Sequence, residues 1–236
     1  MQHHQKLYKD KHIHTNETMS SDDINDKLVK TGTTTVGIIC KDAIILAADM
    51  RESLGGRIIS GRKTEKIQII NDNLAVTTAG LVSDIQLLLR IVRAQLNLEA
   101  MKRNGDLSVK EAVHLLANLV YNNSRRMSMI PGITGFLLGG RDKSGLYLYD
   151  VGMDGSVTDR DEYAADGSGM MFALGVLESE YTEGLSVNEG MKLAVKAVSA
   201  AMRRDTASGD GINVVAITKD GIKKILSKRL TERITV

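Results

Sequence analysis

The sequence predicts an α+β fold, and three observations predict it. Two strand-like runs rich in Thr, Val and Ile, Thr34 to Cys40 and Ala43 to Asp49, follow one another across the short polar break Lys41-Asp42. Two capping boxes, Ser108-Val109-Lys110-Glu111 and Ser186-Val187-Asn188-Glu189, each open a stretch with helical periodicity. A final pair of apolar runs, Ile212 to Thr218 and Ile222 to Leu226, flanks Lys219-Asp220-Gly221. Strand pairs, then helices, then strands, helices and strands again, describe packed α and β layers.

The elements between follow in order. Met50 to Thr64, with its Gly and Arg, reads as loop or irregular strand. Lys66 to Ile70 and Leu74 to Ala79 form a strand pair around Asn71-Asp72-Asn73. A helix starts with Ser83 as N-cap, keeps Leu87, Leu88, Ile91, Ala94, Leu98 and Met101 on one stripe, and stops at Asn104-Gly105. The first capping box opens a helix with Val113, Leu116, Ala117 and Val120 on one face. Pro131-Gly132 precedes a strand from Ile133 to Gly139, and Asp142-Lys143-Ser144-Gly145 turns into a second, Leu146 to Tyr149. The second box opens a helix running to about Arg204, with Val187, Met191, Ala194, Val195, Val198 and Met202 as its apolar stripe.

Residues 1–32 differ from all of this. They are polar, rich in His, Lys, Asp, Asn and Ser, and read as a disordered tail. His3, His4, His12 and His14 are irregularly spaced and lack cysteine partners, so the tail reading is preferred to a metal site. Residues 33–236 suffice for one domain with a sizeable core.

Composition closes off several function classes. With 236 residues, 42% apolar and 25% charged, the chain is of ordinary globular type. A net charge of +2 gives no electrostatic case for nucleic acid, and no Trp with two Phe and six Tyr gives no stacking platform. The single cysteine, Cys40, rules out an internal disulfide and reads as a buried structural thiol. Neither a membrane-spanning apolar run nor the apolar core of a secretory signal is present, so a cytoplasmic protein is expected.

The chemistry centres on the junction Gly32-Thr33, where the polar segment meets the first strand. A cut there creates an N-terminal threonine, which carries a hydroxyl nucleophile and a free amine on one residue. His114 is the one histidine outside the tail and reads as structural or solvated, so a Ser-His or Cys-His mechanism has no base. A new N-terminal amine, with an unperturbed pKa of about 7.7–8.0, is a suitable one. Asp49 ends an apolar strand, Lys66 begins the next strand run, and Gly80 sits at a strand-to-helix junction where an N–H can face a cleft. Each also has a bland reading, as a strand-end cap, a solvated edge lysine and a turn residue. The loops at Asp166-Gly167-Ser168-Gly169 and Arg203 to Gly211 are small-residue rich but lack nucleotide-binding spacing.

Six segments taken together resemble a proteasome β-type subunit of the archaeal kind. They are Gly32 to Gly37, Ala47 to Arg51, Thr77 to Gly80, Gly167 to Gly169, Gly175 to Ser179 and Arg204 to Gly209. The resemblance covers essentially the whole chain from Gly32, and the order and spacing carry it. It implies the four-layer αββα sandwich of N-terminal-nucleophile hydrolases. Residues 1–32 become a propeptide removed autocatalytically at Gly32–Thr33, and residues 33–236 the mature catalytic domain. Thr33 becomes the nucleophile, with its own amine as base, acting through a water; Lys66 becomes the active-site lysine and Asp49 its orienting acid. The Gly80 N–H would serve the oxyanion, and Ser168, Asp205 and Ser208 would hold the N-terminus.

The resemblance further implies a threonine endopeptidase of the 20S core. Homo-heptameric β rings would stack on each other and on α rings (α7β7β7α7), fed with unfolded polypeptide by a regulatory ATPase, without cofactor, metal, nucleic acid or membrane. Substrate-pocket positions fall on Glu52, Thr78 and Val82. A carboxylate at Glu52 would favour basic substrate side chains; the competing reading, in which it points to solvent or a neighbouring subunit, is preferred on sequence. Departures from the family pattern are one extra residue between Asp49 and Lys66, Met170-Met171 after the Ser168 loop, and Asn213 in place of Asp. Two other readings compete: a catalytically silent ring subunit, disfavoured because Thr33, Asp49 and Lys66 are all present, and another N-terminal-nucleophile hydrolase such as the bacterial ring peptidase.

Overall fold

The computed structural model describes residues 32–54, 56, 58–128 and 132–230. The expectations of a disordered tail and of its histidines lie outside the described residues, except for Gly32.

Strands β1 (Thr35–Ile39) and β2 (Ala43–Asp49) form the expected hairpin, in the register Thr35 opposite Ala48. The segment read as loop or irregular strand contains a short hairpin, β3 (Glu52–Leu54) and β4 (Ile58–Gly61). Next come β5 (Ile67–Ile69), β6 (Leu74–Thr77) and the two-residue β7 (Ala79–Gly80), then helices α1 (Val82–Arg103) and α2 (Val109–Ser124). Strands β8 (Thr134–Asp142), β9 (Gly145–Val151), β10 (Val157–Arg160) and β11 (Tyr163–Asp166) lead to α3 (Met170–Glu180), α4 (Val187–Met202), β12 (Gly211–Thr218) and β13 (Gly221–Arg229).

One sheet runs β11-β1-β2-β12-β13 and the other β10-β9-β8-β6-β5, with β7 joined to β8; every pairing is antiparallel. Alternation along β2 shows how they stack. Ile45 and Ala47 pack with Leu193, Ala197 and Val198 of α4, while Ile44, Leu46 and Ala48 meet Leu137 of β8, Leu148 of β9 and Ala75 of β6. Both faces of β2 are buried, which is why it reads as an unbroken apolar run rather than an alternating one. On the far side of the second sheet, Phe136 and Leu138 pack against α1 and α2.

Both capping boxes form. Ser108 Oγ accepts from Glu111 N at 3.2 Å and Glu111 returns a bond to Ser108 N at 2.9 Å; Ser186 and Glu189 repeat the pattern. All four stripe residues expected on α2 are buried. On α4 the innermost residues include Leu193, Ala194 and Ala197, and the expected Val187, Met191, Val195 and Met202 pack at the flank of that face.

Two expectations for α1 fail. The helix starts at Val82, with Leu81 as N-cap and no capping side chain, because pairing of β7 with β8 delivers the chain directly into the helix and Leu81 N is bonded to Ile133 O. Its buried residues are Ile85, Leu88, Leu89, Val92 and Leu96, so only Leu88 of the expected stripe faces the core. The helix has two apolar tracks, and the sheet covers the other one.

Cys40 is buried as expected. Burial pushes its thiol up to about 11, which leaves it unreactive at neutral pH. His114 lies exposed on α2.

Candidate active site

The ends of four elements converge at Thr33. The hairpin β1–β2 brings Asp49 beside the start of β1, since Asp49 N donates to Thr34 O at 3.2 Å. Lys66 immediately precedes β5, and its carbonyl accepts from Thr78 N at 2.9 Å and Thr78 Oγ1 at 3.2 Å. The turn after β11 supplies Ser168, and the turn after α4 supplies Asp205 and Ser208.

Asp49 is the hub. It is fully buried, which for a carboxylate demands partners. Oδ1 accepts from Thr34 N at 2.9 Å and Lys66 Nζ at 2.8 Å; Oδ2 accepts from Arg51 N at 3.0 Å and Gly209 N at 2.9 Å. Lys66 is 5% exposed. Burial pushes its pKa below the ordinary lysine value, and the Asp49 carboxylate opposes that shift. An ammonium so placed holds positive charge at a fixed point while giving up a proton more easily than a surface lysine.

The atoms around the scissile bond are close together. Thr33 Oγ1 donates to Gly32 O at 2.7 Å, and Lys66 Nζ donates to the same oxygen at 3.3 Å. Thr33 N donates to Ser168 Oγ at 3.2 Å, and Ser168 Oγ donates to Asp205 Oδ2 at 2.6 Å. Ser208 Oγ reaches the same carboxylate oxygen at 2.6 Å and shares a 2.7 Å hydrogen bond with Thr34 Oγ1. Asp205 thus ties two serines into one chain ending on the Thr33 nitrogen. Gly169 N donates to Thr33 O at 3.3 Å and completes the bracket.

Gly80 faces the same cleft as Thr33 and Lys66, with φ of +118°, where a Cβ would come within 2.1 Å of Ile133 O; glycine is required. The Gly32 carbonyl in this uncut chain takes its bonds from Thr33 and Lys66, not from Gly80. The cleft has a volume of about 540 Å3, within the range of small-ligand sites. Glu52, Thr78 and Val82 all line it. Thr78 has its hydroxyl committed to Lys66 O, and the Glu52 carboxylate is steadied by Thr64 Oγ1 at 2.9 Å.

Four contributors were not singled out from sequence. Ser53 accepts from Gly32 N at 3.1 Å, Thr34 reaches Ser208, Thr64 steadies Glu52, and Arg51 clamps the Asp205 turn through Asp210 (2.8 Å) and Thr206 O (2.9 Å). Thr34 looks like an ordinary β former in its strand-like run, and Arg51, Ser53 and Thr64 look like the polar residues of a loop or irregular strand, so no local signal marks them. Among the described residues no group of three His, Cys, Asp or Glu is placed to hold a metal ion. No described helix is long and apolar enough to cross a membrane.

A buried threonine at a glycine junction, a buried lysine–aspartate pair beside it and two antiparallel sheets between helix pairs are the features to set against known proteins. Residues 29–217 match the family described as Proteasome subunit, and the chain belongs to that family. Proteins similar to it include β-type subunits. "Proteasome subunit beta 2" of Pyrococcus abyssi is 47% identical over 199 residues, covering 84% of this chain and 93% of its own. "Proteasome subunit beta" of Archaeoglobus profundus is 42% identical over 212 residues, covering 90% and 95%. That of Methanocaldococcus vulcanius is 39% identical over 202 residues, covering 85% and 88%.

Proposed function

We propose that this chain is a catalytic β subunit of a 20S proteasome core, a threonine endopeptidase that makes its own nucleophile by cutting Gly32–Thr33. The observation that carries the reading is the junction: Thr33 Oγ1 and Lys66 Nζ both lie on the Gly32 carbonyl oxygen, inside a buried bracket. Family membership and β-type relatives at high coverage support it. The helix pairs on either outer face of the two stacked sheets support the four-layer αββα sandwich.

In self-cleavage, Thr33 Oγ adds to the Gly32 carbonyl carbon and passes its proton to a water. The tetrahedral oxyanion forms beside the Lys66 ammonium. The carbon–nitrogen bond breaks as the Thr33 nitrogen takes up a proton, which leaves Gly32 esterified to Oγ. Water hydrolyses that ester, releasing residues 1–32 as propeptide and a free hydroxyl and amine on Thr33. Residues 33–236 are then the mature domain. In peptide hydrolysis the same Oγ attacks the substrate carbonyl. The Thr33 amine acts as base, because an amide nitrogen has no basicity and a free amine has a pKa near neutrality. Lys66 stabilises the negative charge developing on Oγ, Asp49 orients Lys66, and the Gly80 N–H serves the oxyanion once the leader has gone. Ser168, Asp205 and Ser208 hold the new N-terminus.

Assembly follows from the same reading: homo-heptameric β rings stacked on each other and on α rings, α7β7β7α7, in the cytoplasm. A regulatory ATPase feeds unfolded polypeptide through the α rings. Apolar side chains left outside the chain's own core, Met101 at 81% exposed on α1 and Met171 at 68% on α3, support burial against neighbours.

Intact mass of the assembled protein tests the reading, with a species beginning at Thr33 expected. A leader retained in the assembled particle would instead identify a silent ring subunit.

The cleft gives a second expectation. Glu52 presents a carboxylate held in place by Thr64, so peptides with Arg before the cut should be hydrolysed about tenfold faster than those with Leu or Glu. Fluorogenic peptides of the three kinds check this on wild type and Glu52→Ala. An Arg advantage that is absent, or that survives the substitution, rejects the role of Glu52.

A further inference from the structure

We propose that Ala207 is a specificity-determining residue for self-cleavage: its methyl group closes off the side-chain side of residue 32, so that glycine there is what keeps the scissile peptide on Thr33 and Lys66. The inference rests on the self-cleavage reading above and adds a residue that reading does not use.

Gly32 is pinned at both ends. Its nitrogen donates to Ser53 Oγ at 3.1 Å, and its oxygen accepts from Thr33 Oγ1 at 2.7 Å and Lys66 Nζ at 3.3 Å. A Cβ placed on it would lie 1.6 Å from Ala207 Cβ, 2.8 Å from Ala207 Cα and 3.1 Å from Ala207 C. The φ of Gly32 lies outside the left-handed region, so the demand for glycine comes from contact with Ala207 and not from backbone conformation.

Ala207 has little room to retreat. It is 5% exposed, and its nitrogen donates to Asp205 Oδ1 at 3.2 Å. On either side of it, Thr206 O accepts from Arg51 Nη1 at 2.9 Å and Gly209 N donates to Asp49 Oδ2 at 2.9 Å. The wall is therefore braced by Asp205 and Asp49, the two carboxylates that also order the site. A side chain of ordinary handedness on residue 32 runs into this braced turn. It follows that self-cleavage and peptide hydrolysis obey different rules for the residue before the cut: the first admits only glycine because of Ala207, whereas substrate side chains are taken by the cleft beside Glu52 and Thr78.

The test is a time course of intact mass on the full-length chain, assembled with its partner subunits, in five forms: wild type, Gly32→Ala, Ala207→Gly, the double variant and Ala207→Val. Gly32→Ala should slow appearance of the species beginning at Thr33 by about 10²-fold, the scale set by a misplacement near 1 Å. The double variant should recover part of that loss, since removing the methyl takes away the 1.6 Å clash and leaves the 2.8 Å approach to Cα and the 3.1 Å approach to C to relax. Ala207→Val, with Gly32 intact, should slow the cut by crowding the same space. A Gly32→Ala chain processed at the wild-type rate overturns the proposal. So does a double variant as slow as Gly32→Ala while Ala207→Gly alone assembles and matures. If the double variant fails to assemble, normal processing of Ala207→Val overturns it. A wild-type chain that never yields Thr33 overturns the self-cleavage reading itself, an outcome distinct from any of these.

Discussion

Thr33→Ala is expected to assemble, keep residues 1–32 attached and lose peptide hydrolysis by at least about 10³-fold, roughly 4 kcal/mol of transition-state stabilisation. The two losses are one event. Without the hydroxyl there is nothing to attack Gly32, so the amine that serves as base in the mature enzyme never forms. Thr33→Ser separates the functions. Its hydroxyl restores the nucleophile, but without the γ-methyl χ1 is freer, and the 2.7 Å approach of Oγ to Gly32 O is populated for less of the time. Processing should therefore proceed, several-fold more slowly at an order-of-magnitude level. Intact mass and hydrolysis of a fluorogenic peptide are read on the same preparations. A Thr33→Ala particle that loses its leader, or hydrolyses peptide above background, removes Thr33 from the nucleophile's role.

How much of this was legible depended on where the information lay. β2 was exact to the residue because burial on both faces gives a continuous apolar run that nothing else imitates. The helix starts at Ser108 and Ser186 were legible because a capping box is a local hydrogen-bonded unit. The stripe of α1 was misread because Leu, Ile and Met occupy two adjacent tracks, and only packing against β6 and β8 decides between them. Strands β3, β4, β10 and β11 are three or four residues long and partly polar. Their pairing is supplied by neighbours, as when Thr158 of β10 lies opposite Asp150 of β9.

The site divides along the same line. An aspartate ending an apolar strand announces a buried partner, and a nucleophile at a glycine junction is visible without a fold. Ser53 and Thr34 carry no such mark. Gly209, 160 residues from the carboxylate it serves, enters the site only through the tertiary fold.

Asp49 and Lys66 should prove unequal when removed one at a time, although a simple ion pair would make them equal. Lys66→Ala leaves the Asp49 carboxylate with three backbone N–H donors, from Thr34, Arg51 and Gly209, so the buried charge stays largely satisfied. The expected cost is about 1–3 kcal/mol. Asp49→Ala strands all three donors and leaves Lys66 Nζ with the Gly32 carbonyl at 3.3 Å. The lysine has an escape, because burial already depresses its pKa and it sheds its proton when its counter-charge goes. The three N–H groups have none, since a peptide nitrogen cannot discard its hydrogen and the cavity left by alanine is walled by the β1–β2 hairpin and the Asp205 turn. The expected cost is therefore larger, about 3 kcal/mol or more, at about 1–3 kcal/mol for each stranded donor. Both variants should lose about 10² or more in peptide hydrolysis, because each removes or misplaces the Lys66 charge that stabilises the developing Thr33 Oγ nucleophile. Activity thus cannot rank them, and stability can. Urea midpoints taken at one fixed protein concentration make the comparison, since association contributes to apparent stability. If Lys66→Ala lowers the midpoint as far as Asp49→Ala does, the ion pair rather than the ring of backbone donors holds the junction together, and the hub assigned to Asp49 reduces to a counter-ion.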